Sequence, residues 1–173
     1  MKIAIITSGF FPVIDGVTIT GYSRVKELSK QGHQVIVFCP DYSKIPQIYP
    51  QWSDYTGEIF PRVKVINLPS TSFFVEFERN VAWWGHRQLE EELAAFKPDI
   101  IHVDEPERLF VGFWRIPGLR YARQHKIPCI GFFRTNFIEY LEDFFALPKP
   151  ILLFLQWLVK QLILYVYNAY DLT

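Results

Sequence analysis

Short apolar runs alternate with stretches of helical periodicity along residues 1 to about 135. Each run is typical of a strand buried on both faces, and five are present, over 3–7, 34–39, 63–68, 100–103 and 127–133. Apolar residues at helical spacing predict the helices between them, over 16–31, 76–96 and 107–125, with Pro117-Gly118 as a point where the last can break. The stretch 43–62 is predicted to be a loop. This alternation implies βαβ crossovers, so the predicted fold class is α/β, a Rossmann-like parallel sheet flanked by helices.

The C-terminal part of the chain has a different pattern. Residues 148–170 are almost continuously apolar, but Lys160 and two glutamines interrupt them, so no run of 18 uncharged apolar residues exists. We therefore interpret this segment as a long apolar helix that is buried or interfacial rather than transmembrane. The predicted organisation is a Rossmann-like domain over 1–147, followed by the apolar helix and chain end over 148–173.

Composition narrows the classes of partner. Lys+Arg and Asp+Glu both number 18, so the formal net charge is zero and no basic excess points to nucleic acid. Cys39 and Cys129 fall in predicted strands, which favours buried reduced thiols of a cytoplasmic protein. The chain starts directly in a strand, so no signal peptide is expected. No Cys/His cluster is present, and no metal site is predicted.

The loops that follow the predicted strands are the places to look for chemistry, because ligands of parallel sheets bind at the carboxyl ends of the strands. The first loop ends at Asp15-Gly16, where a helix begins. Exposed N–H groups at a helix start favour a phosphate, and a glycine lets a ligand approach the backbone. Equally, this can be a plain turn in which Asp15 caps the helix.

Two further loops carry charged side chains. Asp104 and Glu105 form a carboxylate pair that could bind hydroxyls or act as a base, or could cap the next helix. Arg134 leaves the fifth strand, where a guanidinium suits a phosphate or carboxylate. The alternative for Arg134 is an ion pair with Glu105 or Glu139.

The predicted helix after Asp104 is basic. Against one acid, Glu107, it carries the basic residues Arg108, Arg115, Arg120, Arg123 and Lys126. A solvated face is the ordinary interpretation, and a surface that touches anionic lipid is the sharper one. An aromatic contact beside it could come from Trp52, Phe73, Phe74, Trp83 and Trp84, although core packing explains them equally well.

Four segments together resemble a known family. They are MKIAIITSGFFPVIDGVT, GHQVIVFCP, KPDIIHVDEP and FFRTNFIEYL. Their order and spacing resemble the N-terminal domain of retaining GT-B glycosyltransferases of the family 4 type, across essentially the whole chain. The DGV loop and TNFIEYL are most similar to members that glycosylate diacylglycerol lipids, such as sulfoquinovosyl and digalactosyl lipid synthases.

The resemblance implies roles for individual residues. Asp15 and Gly16 occupy the loop that approaches the donor diphosphate and sugar, and Glu105 occupies the acceptor-side loop. Thr135 and Asn136 follow the position where the family usually has a histidine near the reacting centre. Here that position is Arg134, which offers a fixed cation but cannot exchange a proton as histidine does.

The resemblance also implies an activity. The complete enzyme would move a hexose from a UDP- or GDP-sugar to a lipid or glycan hydroxyl with retention, without a cofactor, on the cytoplasmic face of a membrane. The family's second, donor-binding domain is not in these 173 residues. The chain alone is therefore expected to be inactive, and a separate chain could supply the donor domain. The alternative is a non-catalytic membrane- or partner-binding module derived from such an enzyme.

Overall fold

The fold is organised around one six-stranded sheet. The computed structural model describes residues 1–73, 75–134, 138 and 148–173. The strands of the main sheet are β1 (Lys2–Thr7), β2 (Gln34–Pro40), β3 (Gly57–Phe60), β4 (Val63–Leu68), β7 (Ile100–Asp104) and β8 (Cys129–Phe132), in the order β3-β4-β2-β1-β7-β8. A separate two-stranded hairpin consists of β5 (Ser70–Phe73) and β6 (Val75–Val81).

The described helices connect and flank these strands. They are α1 (Gly16–Lys30), α2 (Gly85–Phe96), α3 (Pro106–Phe113), α4 (Leu119–His125) and α5 (Lys149–Tyr167), with a short 3-10 helix at Trp52–Tyr55. In the main sheet, β4, β2, β1, β7 and β8 are parallel to one another. The edge strand β3 pairs antiparallel with β4. The predicted α/β fold with a Rossmann-like parallel sheet is confirmed.

The alternation of side chains along β1 explains why the strand reads as a continuous apolar run. Ile3 and Ile5 point to one face of the sheet and pack in a cluster with Val25 of α1. Ala4 and Ile6 point to the other face, in a cluster that includes residues of α2, α3 and α4. Both faces of the strand are covered, so no polar position interrupts the pattern.

The helix predicted over 76–96 is wrong in its first third. Residues 75–81 form β6 instead, and α2 begins only at Gly85. The buried guanidinium of Arg79 stabilises the hairpin by donating hydrogen bonds to the Ser70 carbonyl (2.6 Å) and to Ser70 Oγ (3.1 Å). These partners lie across the hairpin, so helical periodicity within 76–96 alone could not reveal them.

Tertiary packing also holds this hairpin against α3. A Cβ added to Gly112 would lie 2.3 Å from the carbonyl oxygen of Val81, so the helix and the strand can approach this closely only because residue 112 has no side chain.

The predicted loop over 43–62 is also partly wrong, because it contains the 3-10 helix and edge strand β3. The predicted break in the third helix is confirmed, since Trp114 (φ 55°) and Gly118 (φ 73°) separate α3 from α4.

Helix α5 contacts the domain mainly through its C-terminal turns and the residues after it. Tyr170 packs over Gly131, where an added Cβ would come within 2.9 Å of its ring, and Gly131 N–H donates to the Leu172 carbonyl (3.0 Å). Within the described residues, α5 is the one helix that is both long and apolar enough to cross a bilayer. Only 17% of its most apolar 18-residue stretch is buried. A buried helix is therefore the wrong interpretation for most of its length. Cys39 and Cys129 are both buried and free, as predicted.

Candidate functional site

The loops singled out from the sequence leave the carboxyl edge of the sheet. The strands β1, β7 and β8 are neighbours, and their last residues are in register, with Thr7 opposite Asp104 and Asp104 opposite Phe132. The loops that leave these strands therefore start side by side, which is where parallel sheets bind ligands. This edge is the candidate functional site.

Asp15 and Gly16 lie at the start of α1 with well-defined geometry. The Asp15 carboxylate accepts a hydrogen bond from Thr18 N–H (2.8 Å), and Thr18 Oγ1 accepts one from Asp15 N–H (3.0 Å). This reciprocal capping box confirms the interpretation of Asp15 as the helix cap. Gly16 has no atom within 4 Å of the position where its Cβ would be, so its backbone is open on that side. The capping and the proposed approach of a ligand to Gly16 are compatible.

Asp104 is the centre of a charged cluster. Its side chain is only 2% exposed, and it accepts hydrogen bonds from Arg24 Nη2 and from Arg134 Nη2, the latter at 3.4 Å. Arg134 thus forms an ion pair with Asp104, a partner other than the two carboxylates predicted for it, Glu105 and Glu139; Glu139 lies outside the described residues. The cluster exists because β7 and β8 are adjacent in the sheet and the Arg24 side chain of α1 reaches the end of β7.

The two arginines have more donors than the cluster uses. Their guanidinium carbons lie 5.2 Å (Arg24) and 5.3 Å (Arg134) from the centroid of the Phe132 ring. Within the described part of the chain, Arg24 Nε, Arg24 Nη1 and Arg134 Nε are buried without a hydrogen-bond partner. Two cations share one carboxylate, an arrangement that favours a bound anion.

Sequence reasoning missed Arg24. Its position was visible, because residue 24 follows the buried Gly21 by three residues and precedes the buried Val25, so it adjoins the buried stripe of α1. A charged residue beside a buried helical stripe indicates a partner on the sheet. The identity of that partner depends on how far α1 reaches over the sheet, which the helical pattern does not contain.

Glu105 is held in an unusual backbone conformation. Its φ of 51° is left-handed, a region that costs a residue with a side chain roughly 1 kcal/mol or more. Its carbonyl accepts from Leu109 N–H (3.2 Å), while its carboxylate accepts from Ser8 Oγ. Glu105 is the N-cap residue of α3, as the capping alternative predicts, but no side-chain hydrogen bond caps the helix. The turn instead directs Glu105 towards the β1 loop, on the ligand side.

Two titratable groups border the cluster. Burial, with Arg24 nearby, lowers the pKa of His102 to about 4, so this imidazole is neutral at physiological pH. Burial raises the pKa of Glu107 to about 7, although a hydrogen bond from Tyr167 Oη (2.7 Å) partly opposes this. A carboxyl that titrates near neutrality can exchange a proton at working pH. Sequence reasoning counted Glu107 only as the single acid of a basic helix.

The remaining predicted site residues have different outcomes. Thr135 and Asn136 lie outside the described residues, as does Phe74. Arg108 does not contribute a free charge to the basic surface. Its Nη2 pairs with Glu78 Oε2 (3.4 Å), and its guanidinium carbon lies 4.9 Å from the centroid of the Phe73 ring. Among the described side chains, no three His, Cys, Asp or Glu residues are grouped to hold a metal ion.

Comparison with known proteins adds the family. Residues 14–173 match the model of Glycosyltransferase Family 4. The alpha-monoglucosyldiacylglycerol synthase of Streptococcus pneumoniae is 29% identical over 143 residues, which is 82% of this chain and 28% of that enzyme. A GDP-mannose-dependent alpha-mannosyltransferase of Mycolicibacterium smegmatis is 27% identical over 83% of this chain and 35% of its own length. The chain thus spans about a third or less of the curated relatives it matches.

Solved structures resemble the chain only weakly. MurG of Acinetobacter baumannii is 16% identical, covers 75% of this chain and 34% of its own, and has a TM-score of 0.42. A UGT transferase of Siraitia grosvenorii in complex with UDP is 14% identical over 83% of this chain and 31% of its own, with a TM-score of 0.44. Scores this low add nothing to the assignment. The family match confirms the resemblance carried by the four sequence segments, and the chain belongs to glycosyltransferase family 4.

Proposed function

We propose that this chain is the N-terminal, acceptor-binding part of a glycosyltransferase that moves a hexose from a sugar nucleotide to a lipid or glycan hydroxyl with retention. The observation that carries the proposal is the Arg24–Asp104–Arg134 cluster, which lies beside the Ser8–Glu105 pair at the carboxyl edge of the sheet. Such an edge offers both hydroxyl acceptors and fixed cations to a substrate. Residues 1–147 form the acceptor-side domain, and 148–173 lead towards a donor domain outside these residues.

In this proposal each residue has a distinct task. Gly16 lets the donor diphosphate approach the start of α1, where the helix dipole favours negative charge. Glu105 lies on the acceptor side with its carboxylate oriented by Ser8, and the family resemblance assigns Thr135 and Asn136 to the same side. Arg134 takes the place of the family's histidine and stabilises the charge that develops on the departing phosphate, without taking a proton. The donor is a UDP- or GDP-sugar.

The acceptor and the location follow from the exposed helix. α5 presents apolar side chains to solvent, including Phe154 and Trp157 at 63% and 55% exposure. A lipid acceptor would bring such a helix to the cytoplasmic face of a membrane. The same helix, together with Arg134, is what favours the second candidate, a non-catalytic membrane- or partner-binding module.

Sugar transfer by a completed enzyme tests this function. The coding sequence downstream of Thr173 should supply a donor domain, and the joined protein should transfer labelled hexose from UDP- or GDP-sugars to diacylglycerol, with retained anomeric configuration in the product. The joined protein with native Arg134 should itself be active, Arg134→His should keep or raise that activity, and the surface control Arg123→His should be neutral.

Two results would count against the proposal. If the joined protein is inactive with Arg134 but active with Arg134→His, the non-catalytic module is the better description. If the 173-residue chain transfers sugar without any donor domain, the assignment as an acceptor half is wrong.

A further inference from the structure

A second concave surface lies away from the sheet edge, between the start of α2 and the turn from α3 to α4. Its volume is about 850 Å³, and its lining includes Trp83, Trp84, Trp114, Arg115 and Arg120 as well as the charged side chains of Arg87, Glu90 and Glu91. We call this surface the indole crevice. Phe113 and His86 also line it, with their rings 5.9 Å apart. None of these residues belongs to the cluster around Asp104.

The indoles of the crevice are unusually exposed. Trp83, Trp84 and Trp114 are 65%, 50% and 76% exposed. Trp83 and Trp84 meet edge to face, with centroids 5.7 Å apart, and the left-handed backbone of Trp114 ends α3 and turns its indole outwards. Exposure of three indoles to water is unfavourable, because most of each ring is apolar. At a bilayer interface the apolar part of the ring can be buried while its N–H group stays hydrated.

The charges of the crevice leave two guanidinium groups available. Arg87 is already paired with Glu91 (2.8 Å), and Glu90 lies 3.7 Å from His86. No carboxylate in the described part of the chain pairs with Arg115 or Arg120, although both are close enough to His86 to add to the lowering of its pKa that burial begins. Two free guanidinium groups beside indoles suit a phosphate.

The helix that ends at Trp114 also contacts α5. Phe110 lies one helical turn before Trp114 on the same stripe of α3, and its ring packs against Tyr165 of α5, with centroids 6.3 Å apart. Helix α5 contains two lysines and no acidic residue. Its exposed apolar side chains are Ile151, Leu153, Phe154, Trp157, Leu158 and Leu164.

We propose that the indole crevice binds the phosphate-bearing headgroup of an anionic phospholipid in a bilayer, while the indoles and the apolar face of α5 enter the interface. Charge complementarity identifies the occupant, because the lining carries Arg87, Arg115 and Arg120 against Glu90 and Glu91, so one positive charge remains beside the exposed indoles. This inference rests on the membrane part of the proposed function. It adds a site separate from the one that handles the sugar.

Vesicle sedimentation of the intact protein tests the site. Binding to phosphatidylcholine vesicles that contain phosphatidylglycerol is compared for the native protein, Arg115→Gln/Arg120→Gln, and the matched control Arg123→Gln/Lys126→Gln. The control removes the same charge from exposed positions outside the crevice. The crevice variant should bind about 30-fold more weakly, since each cation near the surface contributes roughly 1 kcal/mol and tenfold is 1.4 kcal/mol. The control should lose much less.

Four outcomes would overturn the proposed lipid site in the crevice. An equal loss in both double variants means diffuse electrostatic attraction rather than a site. Binding of the intact protein that is insensitive to both means that α5 acts alone, and absence of binding means that other parts of the protein cover the surface. If soluble glycerol phosphate competes fully with the vesicles, the ligand of the crevice is a free phosphate compound rather than a bilayer. Quenching of tryptophan fluorescence by brominated lipid that is weaker in Trp114→Phe than in the native protein supports insertion of Trp114. Sugar transfer to a detergent-solubilised acceptor, measured in parallel, separates failure of the crevice from failure of the glycosyltransferase.

Discussion

The hydroxyl of Tyr167 donates a 2.7 Å hydrogen bond to the carboxylate of Glu107, and this contact joins the last turn of α5 to the first turn of α3. Glu107 is two residues from Glu105, so the end of the apolar helix is bonded directly to the border of the candidate site. Burial raises the pKa of Glu107 to about 7, and burial also raises the pKa of Tyr167. The pair therefore makes the attachment of α5 sensitive to pH.

Glu107→Gln should remove a pH dependence of stability. A carboxyl whose pKa is raised on folding binds its proton more tightly in the folded state, so its stabilisation is complete below about 4.5 and is lost as pH rises to about 7. The loss amounts to roughly 3 kcal/mol at most. Urea denaturation of the chain between pH 4.5 and 8 should show this slope, and Glu107→Gln should flatten it and be the more stable form at pH 8.

Tyr167→Phe is the matched control for that slope. The hydrogen bond from Tyr167 lowers the pKa of Glu107, so its removal should move the midpoint of the pH dependence upwards and steepen the loss at pH 8. A slope that is identical in the native chain and both variants would contradict the assignment to Glu107.

Asp104→Asn should destabilise the domain by roughly 3 kcal/mol, because it leaves Arg24 and Arg134 partly buried without a counter-charge. Adding Arg24→Met to this variant should recover part of the loss, since it removes one of the two uncompensated cations. Chemical denaturation measures both values. A single variant that is as stable as the native chain would show that the carboxylate does not hold the cluster together.

Gly16→Ala separates a plain turn from a ligand-binding turn. Nothing lies within 4 Å of the added methyl group and Gly16 is already helical, so stability should be unchanged or rise by up to about 1 kcal/mol. Under the proposed function, sugar transfer by the completed enzyme should fall, because the methyl group occupies the approach of the donor. Unchanged transfer would reduce Asp15-Gly16 to a helix cap.

Gly112→Ala should destabilise the chain by roughly 1–3 kcal/mol, because its methyl group would overlap the Val81 carbonyl oxygen. Gly21→Ala is the control within α1, where no neighbouring atom lies within 4 Å of the added methyl group, and it should be neutral or stabilising. Thermal unfolding of both variants gives the comparison. Equal melting temperatures would mean that α3 and the hairpin can separate without loss.

Local patterns were sufficient wherever neighbours in the chain decide the structure. The apolar runs at 3–7 and 34–39 predicted β1 and β2 because both faces of those strands are buried. The start of α1 was visible in Asp15-Gly16, since a capping box forms within four residues. The hairpin at 70–81 was missed, because its defining contacts join Arg79 to Ser70 across two strands.

The sequence by itself determined the fold class, the sheet edge where polar loops meet and the family, since these follow from periodicity, from the order of strands and from short motifs. Tertiary structure alone decided the charge partners. Asp104 was expected beside Glu105 as a simple pair, but its partners are Arg24 and Arg134, which are 80 and 30 residues away in the chain. Likewise, the predicted basic helix is two helices in the structure. Arg108 pairs with Glu78, whereas Arg115 lines the crevice beside the indoles. Electrostatic and burial energies depend on distances in space. Spacing along the chain predicts such distances only within a helical turn or a single strand.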